Sequence, residues 1–462
     1  MNRECEKNLR GFNKNDVVDV HRGGVPPQVE YQAGVCHLFG HGEVEDKGHG
    51  FGGQSAGCHE PDHARNDTGL SVVNGPTQGP GLAEVLQAAV SDHPPGLSAH
   101  QWKIINALLV CRTPVLGGHR YHCQQCGHDH YVPRSCGNRH CPHCQSAQAM
   151  AWQQGQEELL LPVPYFHVVF TLPHPLNALI ARNQRALYNL LFACASRTLL
   201  DFARNNLGIT PGMTAVLHTW SQKLTAHYHL HCLITGGGLT CDGSQQWKQC
   251  SPKFLFHVKA MGRVFCGKYV AGLRRLFREG KLSFHGSLNE LKDPRAFDQL
   301  LTRACGKPWN VYAKRPFAGP GQVLNYFSRY THRVAISPRR LLRLDTGQKR
   351  VWFIWKTRDQ PPQKRTAQIS VAEFLKRFAL HILPKGLVKI RHYGLLANRD
   401  RQSRMERLKQ RFQASQDTRQ EPIHERADRP ADPSSRLPVC PHCGERALVL
   451  VGRFAPIRGS PG

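Results

Sequence analysis

The sequence lacks several features that whole classes of protein require. It has no apolar run near the ~18–20 residues that a membrane-spanning helix needs, and its N-terminus lacks the apolar centre of a secretory signal. Acidic residues are scarce: 33 aspartates and glutamates stand against 61 lysines and arginines, leaving a formal net charge of +28. We therefore expect a cytoplasmic protein with no membrane segment and a polyanionic partner, with nucleic acid ahead of an anionic membrane surface.

The residues that are present suffice for two or three globular domains. The chain has 462 residues, more than the ~250–300 that usually share one core. Hydrophobic residues make up 40% of it, which excludes a wholly disordered basic chain. Residues 1–81 differ from the rest, since they are rich in glycine, histidine, asparagine and aspartate and have little apolar periodicity. We predict a disordered extension there.

The 17 cysteines indicate metal binding more than disulfide bonds, because closely spaced cysteines in a cytoplasmic chain more often bind metal. Two C-x2-C knuckles, Cys123–Cys126 and Cys141–Cys144, can each give two thiolates to one tetrahedral ion. Zinc suits four thiolates, so we predict one structural Zn²⁺ held by Cys123, Cys126, Cys141 and Cys144. Between the knuckles, Cys136 and His140 are candidate additional zinc ligands.

A third knuckle, Cys440 and Cys443, has no second pair after it in the sequence. Three interpretations remain open for it. It is half of an incomplete zinc ribbon, or it takes its other ligands from elsewhere in the chain, or it binds nothing.

The segment HYHLHCLI, which starts at His227, has histidines at alternate positions. Residues two apart on a strand project to the same face, so His229 and His231 lie side by side with Leu230 behind them. Two neutral imidazoles on one face can hold a divalent ion if a third ligand comes from nearby. The alternative is a strand of solvated or core-paired histidines.

Two tyrosines, Tyr326 and Tyr330, lie in QVLNYFSRYTHR, whose apolar spacing predicts a helix. At i and i+4 they share one helix face, with Cβ atoms ~5–6 Å apart. A phenol has an ordinary pKa of ~10, but a nearby metal and cations can make it a nucleophile at phosphorus. Arg329, His332 and Arg333 supply positive charge there. Core packing is the alternative for such a pair.

Other local signals predict the surrounding secondary structure. Ser98–Gln101 forms a capping box that opens a helix, and Ser370 opens a second helix that Pro384 ends. The remaining predictions are a buried strand at Val168–Phe170, a helix over 185–206, a strand from Ala226 to Thr235 that runs into Gly236–Gly238, two strands at RVAIS (333–337) and VWFIWK (351–356), and a charged linker or exposed helix over 399–436.

The order of these motifs resembles that of HUH endonucleases, which have an apolar first strand, a His-hydrophobic-His metal strand and a helix with tyrosine nucleophiles. Over about residues 82–400 the chain further resembles the IS91-type transposases. These are bacterial rolling-circle insertion-sequence enzymes with an N-terminal zinc domain. The motifs that carry the resemblance are CRTPVLGGHRYHCQQCG, SCGNRHCPHCQ, AHYHLHCLITGGG, WNVYAKRPF, NYFSRYTHRVAIS and IRHYGLLANR.

The resemblance implies roles for particular residues. Tyr326 and Tyr330 would be the catalytic nucleophiles, and His229 and His231 would hold a catalytic Mg²⁺ or Mn²⁺. HUH enzymes take a third ligand from a nearby Gln, Glu or His; Gln222 is our first candidate and His218 the second. The family commonly has HPHLH at the metal strand, where this chain has Tyr228 in place of the proline. Candidate DNA phosphate contacts are Arg329, Arg333, Lys314 and Lys356.

It also implies the fold class and the order of domains. We expect an α+β protein in which an HUH nuclease-like antiparallel sheet with flanking helices follows a small zinc-binding domain. The predicted divisions are a disordered extension (1–81), a zinc-binding DNA-recognition domain (82–150), an HUH tyrosine nuclease domain (151–398), and a charged linker with the C-terminal knuckle (399–462).

The implied function is a transposase that nicks and rejoins single-stranded DNA at insertion-sequence ends through a covalent 5′-phosphotyrosine. Its expected partners are the element's ends as single strands or hairpins, the target DNA and the host replication machinery. Two other functions remain open. One is a plasmid rolling-circle replication initiator or relaxase, and the other is a non-enzymatic zinc protein that binds nucleic acid.

Overall fold

The computed structural model describes residues 79–91, 96–157, 160–251, 255–314, 323, 327, 330–357, 359, 361–417 and 437–457. Residues 1–78, nearly all of the predicted disordered extension, lie outside this described part. Within it, the helices are α1 (Leu82–Val90), α2 (Ala99–Leu109), α3 (Pro142–Glu157), α4 (Asn177–Arg182), α5 (Gln184–Leu207), α6 (Val258–Arg278), α7 (Pro294–Cys305), α8 (Val371–Leu380) and α9 (Arg401–Asp417). The strands are β1 (Gly118–Cys123), β2 (Asp129–Pro133), β3 (Tyr165–Thr171), β4 (Ile209–Trp220), β5 (Ala226–Thr240), β6 (Trp247–Gln249), β7 (Val311–Lys314), β8 (Leu341–Asp345), β9 (Arg350–Lys356), β10 (Lys364–Ser370), β11 (Ile390–Gly394) and β12 (Leu448–Phe454).

Six strands form a central antiparallel sheet with β5 in its middle. Its order is β11-β4-β5-β3-β7, and β6 pairs with the far end of β5. Two smaller antiparallel sheets have the orders β12-β1-β2 and β10-β9-β8. The predicted α+β class, with antiparallel sheets and flanking helices, is confirmed.

The two faces of the central sheet differ because side chains alternate along each strand. On one face, Leu230, Cys232 and Ile234 of β5 join the main hydrophobic core, to which α4, α5, α6 and α7 contribute. On the other face, Leu233 packs in a separate cluster with Phe327 and with Met405 of α9. The second face also carries His229 and His231, so the histidines lie on the side of the sheet that faces Phe327 and α9.

A further core joins distant parts of the chain. Residues of α1 and α2 pack with the β10-β9-β8 sheet and with α8, in a cluster that includes Leu86, Ile105, Phe353 and Phe374. The first two helices therefore share their buried surface with residues more than two hundred positions later in the sequence.

Several local predictions are confirmed. The Ser98 hydroxyl accepts a hydrogen bond from the amide of Gln101, whose side chain accepts from the amide of Ser98, so the capping box opens α2. The helix predicted over 185–206 is α5, which ends at Gly208 with a left-handed φ of 65°. The strand at Val168–Phe170 is β3, and VWFIWK lies in β9.

The strand predicted at 333–337 is wrong. Arg333–Ser337 pairs with no strand among the described residues. The strand that precedes β9 in the sequence and pairs with it is β8, which begins four residues after Ser337. Ala335 and Ile336 are apolar because they are buried in the core shared by α1, α2 and α8. A short apolar run does not distinguish a strand from a buried irregular segment.

Other elements end at places that differ from the predictions. Strand β5 continues through the three glycines to Thr240. A Cβ at Gly238 would meet the backbone of Thr210, and one at Gly237 would meet the ring of Trp247, so glycine permits the close pairing there. Helix α8 ends at Leu380, before Pro384, and α9 lies within the segment predicted as a linker or exposed helix. None of the helices in the described residues is long and apolar enough to cross a membrane.

Candidate active site

Three histidines meet on one face of the central sheet. His218 on β4 lies directly opposite His229 on β5, and His231 follows two residues later on the same face. Their candidate ligand nitrogens all lie within 4.8 Å of one another. His218 and His231 are buried and His229 is half-buried. We call these three residues the histidine group.

Backbone carbonyls orient two of the three rings. Nε2 of His218 donates to the carbonyl oxygen of Tyr330 at 2.7 Å, and Nδ1 of His229 donates to that of His227 at 3.0 Å. A carbonyl only accepts, so each bonded nitrogen carries the hydrogen and the other nitrogen of the neutral ring keeps its lone pair. The lone pairs available to a metal ion are therefore those of Nδ1 in His218 and Nε2 in His229.

Burial keeps the histidine group neutral. Desolvation lowers the pKa of His229 to about 3 and lowers the pKa values of His218 and His231 well below the usual value, and neighbouring histidines lower all three further. Neutral imidazole is the form that binds metal. Imidazole nitrogen suits transition ions, whereas Mg²⁺ prefers oxygen ligands. Of the two expected ions, Mn²⁺ therefore fits this donor set better.

His167 and Tyr330 border the histidine group. Nε2 of His167 on β3 lies 2.9 Å from Nδ1 of His231, and the two rings stack with centroids 5.1 Å apart. The Tyr330 ring lies 4.2 Å from the His231 ring and 5.5 Å from the His167 ring, centroid to centroid. The predicted nucleophile Tyr330 and the predicted metal-binding histidines are thus neighbours.

The first candidate for the third metal ligand, Gln222, is not part of the histidine group. It is exposed in the turn between β4 and β5, where its carbonyl oxygen accepts a hydrogen bond from Arg340. Gln222 is therefore wrong as the third member of the group, and we propose His218, the second candidate, in its place. The physical reason is the strand register, which sets His218 directly across from His229 and carries Gln222 past the end of β4.

The predicted DNA-contacting cations lie in different places. Lys314 on β7 is opposite His167 on β3, so it shares the face of the histidine group. Arg333 is exposed, and its positive charge lowers the pKa of His229 and of His231. Lys356 ends β9 and belongs to a different sheet. The predicted nucleophile Tyr326 and the predicted contact Arg329 lie outside the described residues.

Four cysteines near the start of the described chain form a compact group: Cys111, Cys136, Cys141 and Cys144. We call it the first cysteine group. The Sγ atom of Cys111 lies 3.5 Å from that of Cys141 and 3.8 Å from that of Cys144, and the Sγ atoms of Cys136 and Cys144 are 3.6 Å apart. A tetrahedral zinc ion with Zn–S bonds of ~2.3 Å spaces its sulfurs ~3.8 Å apart, so this donor set fits one Zn²⁺.

The predicted pairing of the two N-terminal knuckles is wrong. Cys141 and Cys144 join Cys111 and Cys136, whereas Cys123 and Cys126 lie in a separate group with Cys440 and Cys443, which we call the second cysteine group. The two knuckles lie in different groups because they belong to different elements. Cys123 ends β1, which pairs with β2 and β12, whereas Cys141 immediately precedes α3.

His140 does not join the first cysteine group. Its Nε2 accepts a hydrogen bond from the amide of Leu383 at 3.4 Å. Cys136, the other candidate ligand between the knuckles, is a member of the group. Sequence reasoning missed Cys111, which lies just before the knuckle region and carries no spacing signal of its own.

Comparison with known proteins identifies the family. Residues 83–172 match a model described as a transposase zinc-binding domain, and residues 212–404 match one described as a putative transposase. The chain is 38% identical over 392 residues to the putative transposase y4qJ of Sinorhizobium fredii, which covers 83% of this chain and 98% of that relative. The chain belongs to the IS91-type transposases. It is therefore an enzyme that acts on DNA and that contains the family's zinc-binding domain.

A second relative of this IS91-type transposase is the transposase for insertion sequence element IS801 of Pseudomonas savastanoi pv. phaseolicola. It is 30% identical over 309 residues, which cover 66% of this chain and 72% of that relative. No solved structure gives a significant match. The first cysteine group lies wholly within the zinc-binding match, and the histidine group and Tyr330 lie within the other match.

Sequence reasoning also missed His167. The signal for it was a histidine in the otherwise apolar strand YFHVVFT. A polar residue buried in such a strand needs a hydrogen-bond partner, and its partner here is His231.

Proposed function

We propose that this transposase nicks and rejoins single-stranded DNA at the ends of its insertion sequence through a covalent 5′-phosphotyrosine, as in rolling-circle transposition. The observation that carries the proposal is the position of Tyr330, whose ring lies 4.2 Å from the ring of His231 in the histidine group. A phenol beside three neutral imidazoles is an arrangement suited to phosphoryl transfer assisted by a metal ion.

The histidine group is proposed to hold a divalent ion, with Mn²⁺ favoured over Mg²⁺ by the three nitrogen donors. The chemistry supplied by such an ion, when bound, is polarisation of a non-bridging oxygen of the scissile phosphate. The protein itself orients the ligands. Carbonyl oxygens of Tyr330 and His227 hold the rings of His218 and His229, and His167 holds the ring of His231.

In the proposed step, the phenolic oxygen of Tyr330 attacks the phosphorus in line with the bond to the departing 3′ oxygen. The new oxygen–phosphorus bond forms as that bond breaks, which leaves a 5′-phosphotyrosine and a 3′-hydroxyl. The phenol proton passes to water and the departing oxygen takes one up. One phosphodiester replaces another, so rejoining needs no ATP.

Tyr326, four residues before Tyr330 in the sequence, is proposed as a second nucleophile. A second tyrosine allows cleavage at the other end of the element or in the target before strand transfer. The freed 3′-hydroxyl is a primer for DNA synthesis, and we propose that the host replication machinery extends it. Lys314 and Arg333 are proposed to contact the DNA phosphates beside the histidine group, and Lys356 and Arg329 to contact them elsewhere along the bound strand.

The zinc-binding region is proposed to recognise the element's end beside the cleavage site. We propose the divisions at 82–150, 151–398 and 399–462 as segments of the sequence, with β12 of the last segment completing the β12-β1-β2 sheet of the first. The net charge of +28 supports a long path for DNA over these segments.

A covalent-adduct assay tests the proposal. Labelled single-stranded oligonucleotides that tile the DNA on both sides of the coding sequence are incubated with the full chain and Mn²⁺. The expected result is an adduct that survives denaturing electrophoresis with at least one of these oligonucleotides. Mass spectrometry of the digested adduct should locate the DNA on Tyr330 or Tyr326.

The variants Tyr330→Phe and Tyr326→Phe are assayed singly and together, with Tyr228→Phe as the matched control. Tyr228 is buried on the opposite face of β5, in the main hydrophobic core. We expect no adduct from the double variant and an unchanged yield from Tyr228→Phe. An adduct formed by the double variant, or none formed by the wild type with any oligonucleotide, would contradict the mechanism.

A further inference from the structure

The second cysteine group has the sulfur spacing of a tetrahedral metal site. The Sγ atoms of Cys123 and Cys443 are 3.7 Å apart and those of Cys126 and Cys440 are 3.8 Å apart, and all four lie within 4.8 Å of one another. These distances match the ~3.8 Å between sulfurs around one zinc ion. They are far longer than the ~2.05 Å of a disulfide bond. Cys123 and Cys440 are buried, whereas Cys126 and Cys443 are exposed.

The two halves of this group are built alike. Each is a C-x-x-C-G segment in which the glycine has a left-handed φ, 72° at Gly127 and 81° at Gly444. In each, the glycine amide donates to the carbonyl oxygen of the first cysteine, at 2.9 Å in the first knuckle and 2.8 Å in the second. Two matching turns that face each other form the usual scaffold for four thiolates around one ion.

Histidines surround the sulfurs. Nε2 of His130 on β2 lies 3.3 Å from Sγ of Cys440, where it can donate a hydrogen bond to a thiolate. The ring of His128 stacks on the ring of His442, with centroids 4.6 Å apart and planes 5° from parallel. Hydrogen bonds of this kind orient metal ligands in proteins, and the stacked pair joins one knuckle to the other.

Very little apolar packing is available to hold the C-terminal segment in place. Strand β12 pairs with β1, but the hydrophobic cluster around the second cysteine group contains only Cys123, Cys440 and Leu448 as buried members within the described chain. Leu450 and Val451 on β12 are exposed. So small a core does not ordinarily keep a sheet folded, and small units of this type depend on a bound metal.

From these observations we infer that Cys123, Cys126, Cys440 and Cys443 bind a Zn²⁺ ion of their own, separate from that of the first cysteine group. The ion joins residues 320 positions apart and adds β12 to the β1-β2 hairpin. Cys440 and Cys443 lie outside both family matches, which cover 83–172 and 212–404. The inference concerns only these thiolates and does not rest on the proposed nuclease mechanism.

Metal content of the purified full chain, measured by atomic emission, tests the inference. Wild type is compared with Cys440→Ser/Cys443→Ser, with Cys111→Ser/Cys141→Ser from the first cysteine group, and with Cys266→Ser/Cys305→Ser. The last pair is the matched control, because these two cysteines lie 3.6 Å apart and belong to neither group. We expect each of the first two variants to lose one zinc equivalent per chain, and the control variant to lose none.

Two further measurements guard against misfolding. Cys443→His replaces an exposed thiolate with another zinc ligand, so it should keep the zinc that Cys440→Ser/Cys443→Ser loses. Limited proteolysis should release a C-terminal fragment from Cys440→Ser/Cys443→Ser while the remainder stays intact. The inference would be overturned if Cys440→Ser/Cys443→Ser contained as much zinc as wild type. It would also be overturned if that variant lost two zinc equivalents while Cys111→Ser/Cys141→Ser lost none.

Discussion

His218 and Tyr330 are joined by a 2.7 Å hydrogen bond from Nε2 of the histidine to the backbone carbonyl oxygen of the tyrosine. One side chain therefore contacts both the other metal-binding candidates and the backbone of the proposed nucleophile. Because this bond also fixes the tautomer of His218, a displacement of Tyr330 would change the orientation of the Nδ1 lone pair that we propose for metal binding. The positions of the histidine group and of Tyr330 are thus coupled through this hydrogen bond.

Replacement of His218 should abolish adduct formation, whereas replacement of Gln222 should not. His218→Ala removes a proposed metal ligand and the hydrogen bond to Tyr330, so we expect adduct formation to fall by more than the ~100-fold typical when only a supporting residue is removed. Gln222→Ala changes an exposed turn residue and should keep activity within about twofold of wild type. The covalent-adduct assay in Mn²⁺ measures both. An inactive Gln222→Ala beside an active His218→Ala would restore the original ligand assignment.

His167 should tune the metal requirement without being a ligand. His167→Phe keeps a ring against His231 but removes the hydrogen bond between them, so we expect the Mn²⁺ concentration for half-maximal adduct formation to rise ~10–100-fold. His167→Gln retains a hydrogen-bonding group and should recover part of the loss. A Mn²⁺ titration of adduct formation by each variant measures this concentration. An unchanged requirement in His167→Phe would show that this histidine only packs.

Lys314 should contribute to DNA binding through charge alone. If it contacts one phosphate, Lys314→Ala should weaken binding to all single-stranded oligonucleotides alike and reduce the slope of log affinity against log salt by about 0.7. Lys281→Ala is the control, since Lys281 follows α6 on the opposite side of the central sheet and pairs with Glu279 at 2.9 Å. Fluorescence anisotropy over a range of salt concentrations provides the slopes. Equal slopes of log affinity against log salt for the two variants would show that Lys314 does not contact the DNA.

His381 should make the fold sensitive to acid. It is buried, its Nε2 donates to the carbonyl oxygen of Leu224 at 2.9 Å, and burial lowers its pKa to about 4. The unfolded chain takes up this proton near pH 6.5 and the folded chain only near pH 4, so its stabilising effect is complete above pH 6.5 and is lost as the pH falls towards 4. We expect protonation linked to this residue alone to lower the free energy of unfolding by about 2 kcal/mol between pH 6.5 and pH 5.

Melting temperatures of wild type and His381→Gln at pH 7.5 and pH 5.0 check this expectation. The glutamine variant should melt lower at pH 7.5 but lose less on acidification, because it has no proton to take up. All other titrating groups are common to both proteins, so the difference between the two losses reports on His381. Equal losses would mean that its pKa is not lowered by burial.

Much of the candidate active site could be predicted from the sequence because its signals are local. Alternation along a single strand sets His229 and His231 on one face, and the tyrosine spacing predicts a helix. Both depend only on neighbouring residues. Gln222 and His218 could not be ranked in this way, because the register between β4 and β5 decides which of them reaches His229.

The cysteines show most clearly what could not be predicted from the sequence. Each C-x2-C knuckle could be recognised from its spacing alone, as could its suitability for zinc. Which knuckles share an ion depends on contacts between residues far apart in the chain. Cys123 and Cys126 lie with Cys440 and Cys443 because β12 lies beside β1. Cys141 and Cys144, at the start of α3, lie instead with Cys111 and Cys136.

The sequence by itself therefore determined the family, the ligand types and the pairs of residues that local geometry holds together. Only the tertiary structure decided how those pairs combine: His218 with His229 and His231, His167 behind them, and two cysteine groups in place of one. The physical reason is that side-chain periodicity is set by backbone geometry within a few residues. Ligand groups are instead completed by strand register and packing, which depend on the whole chain.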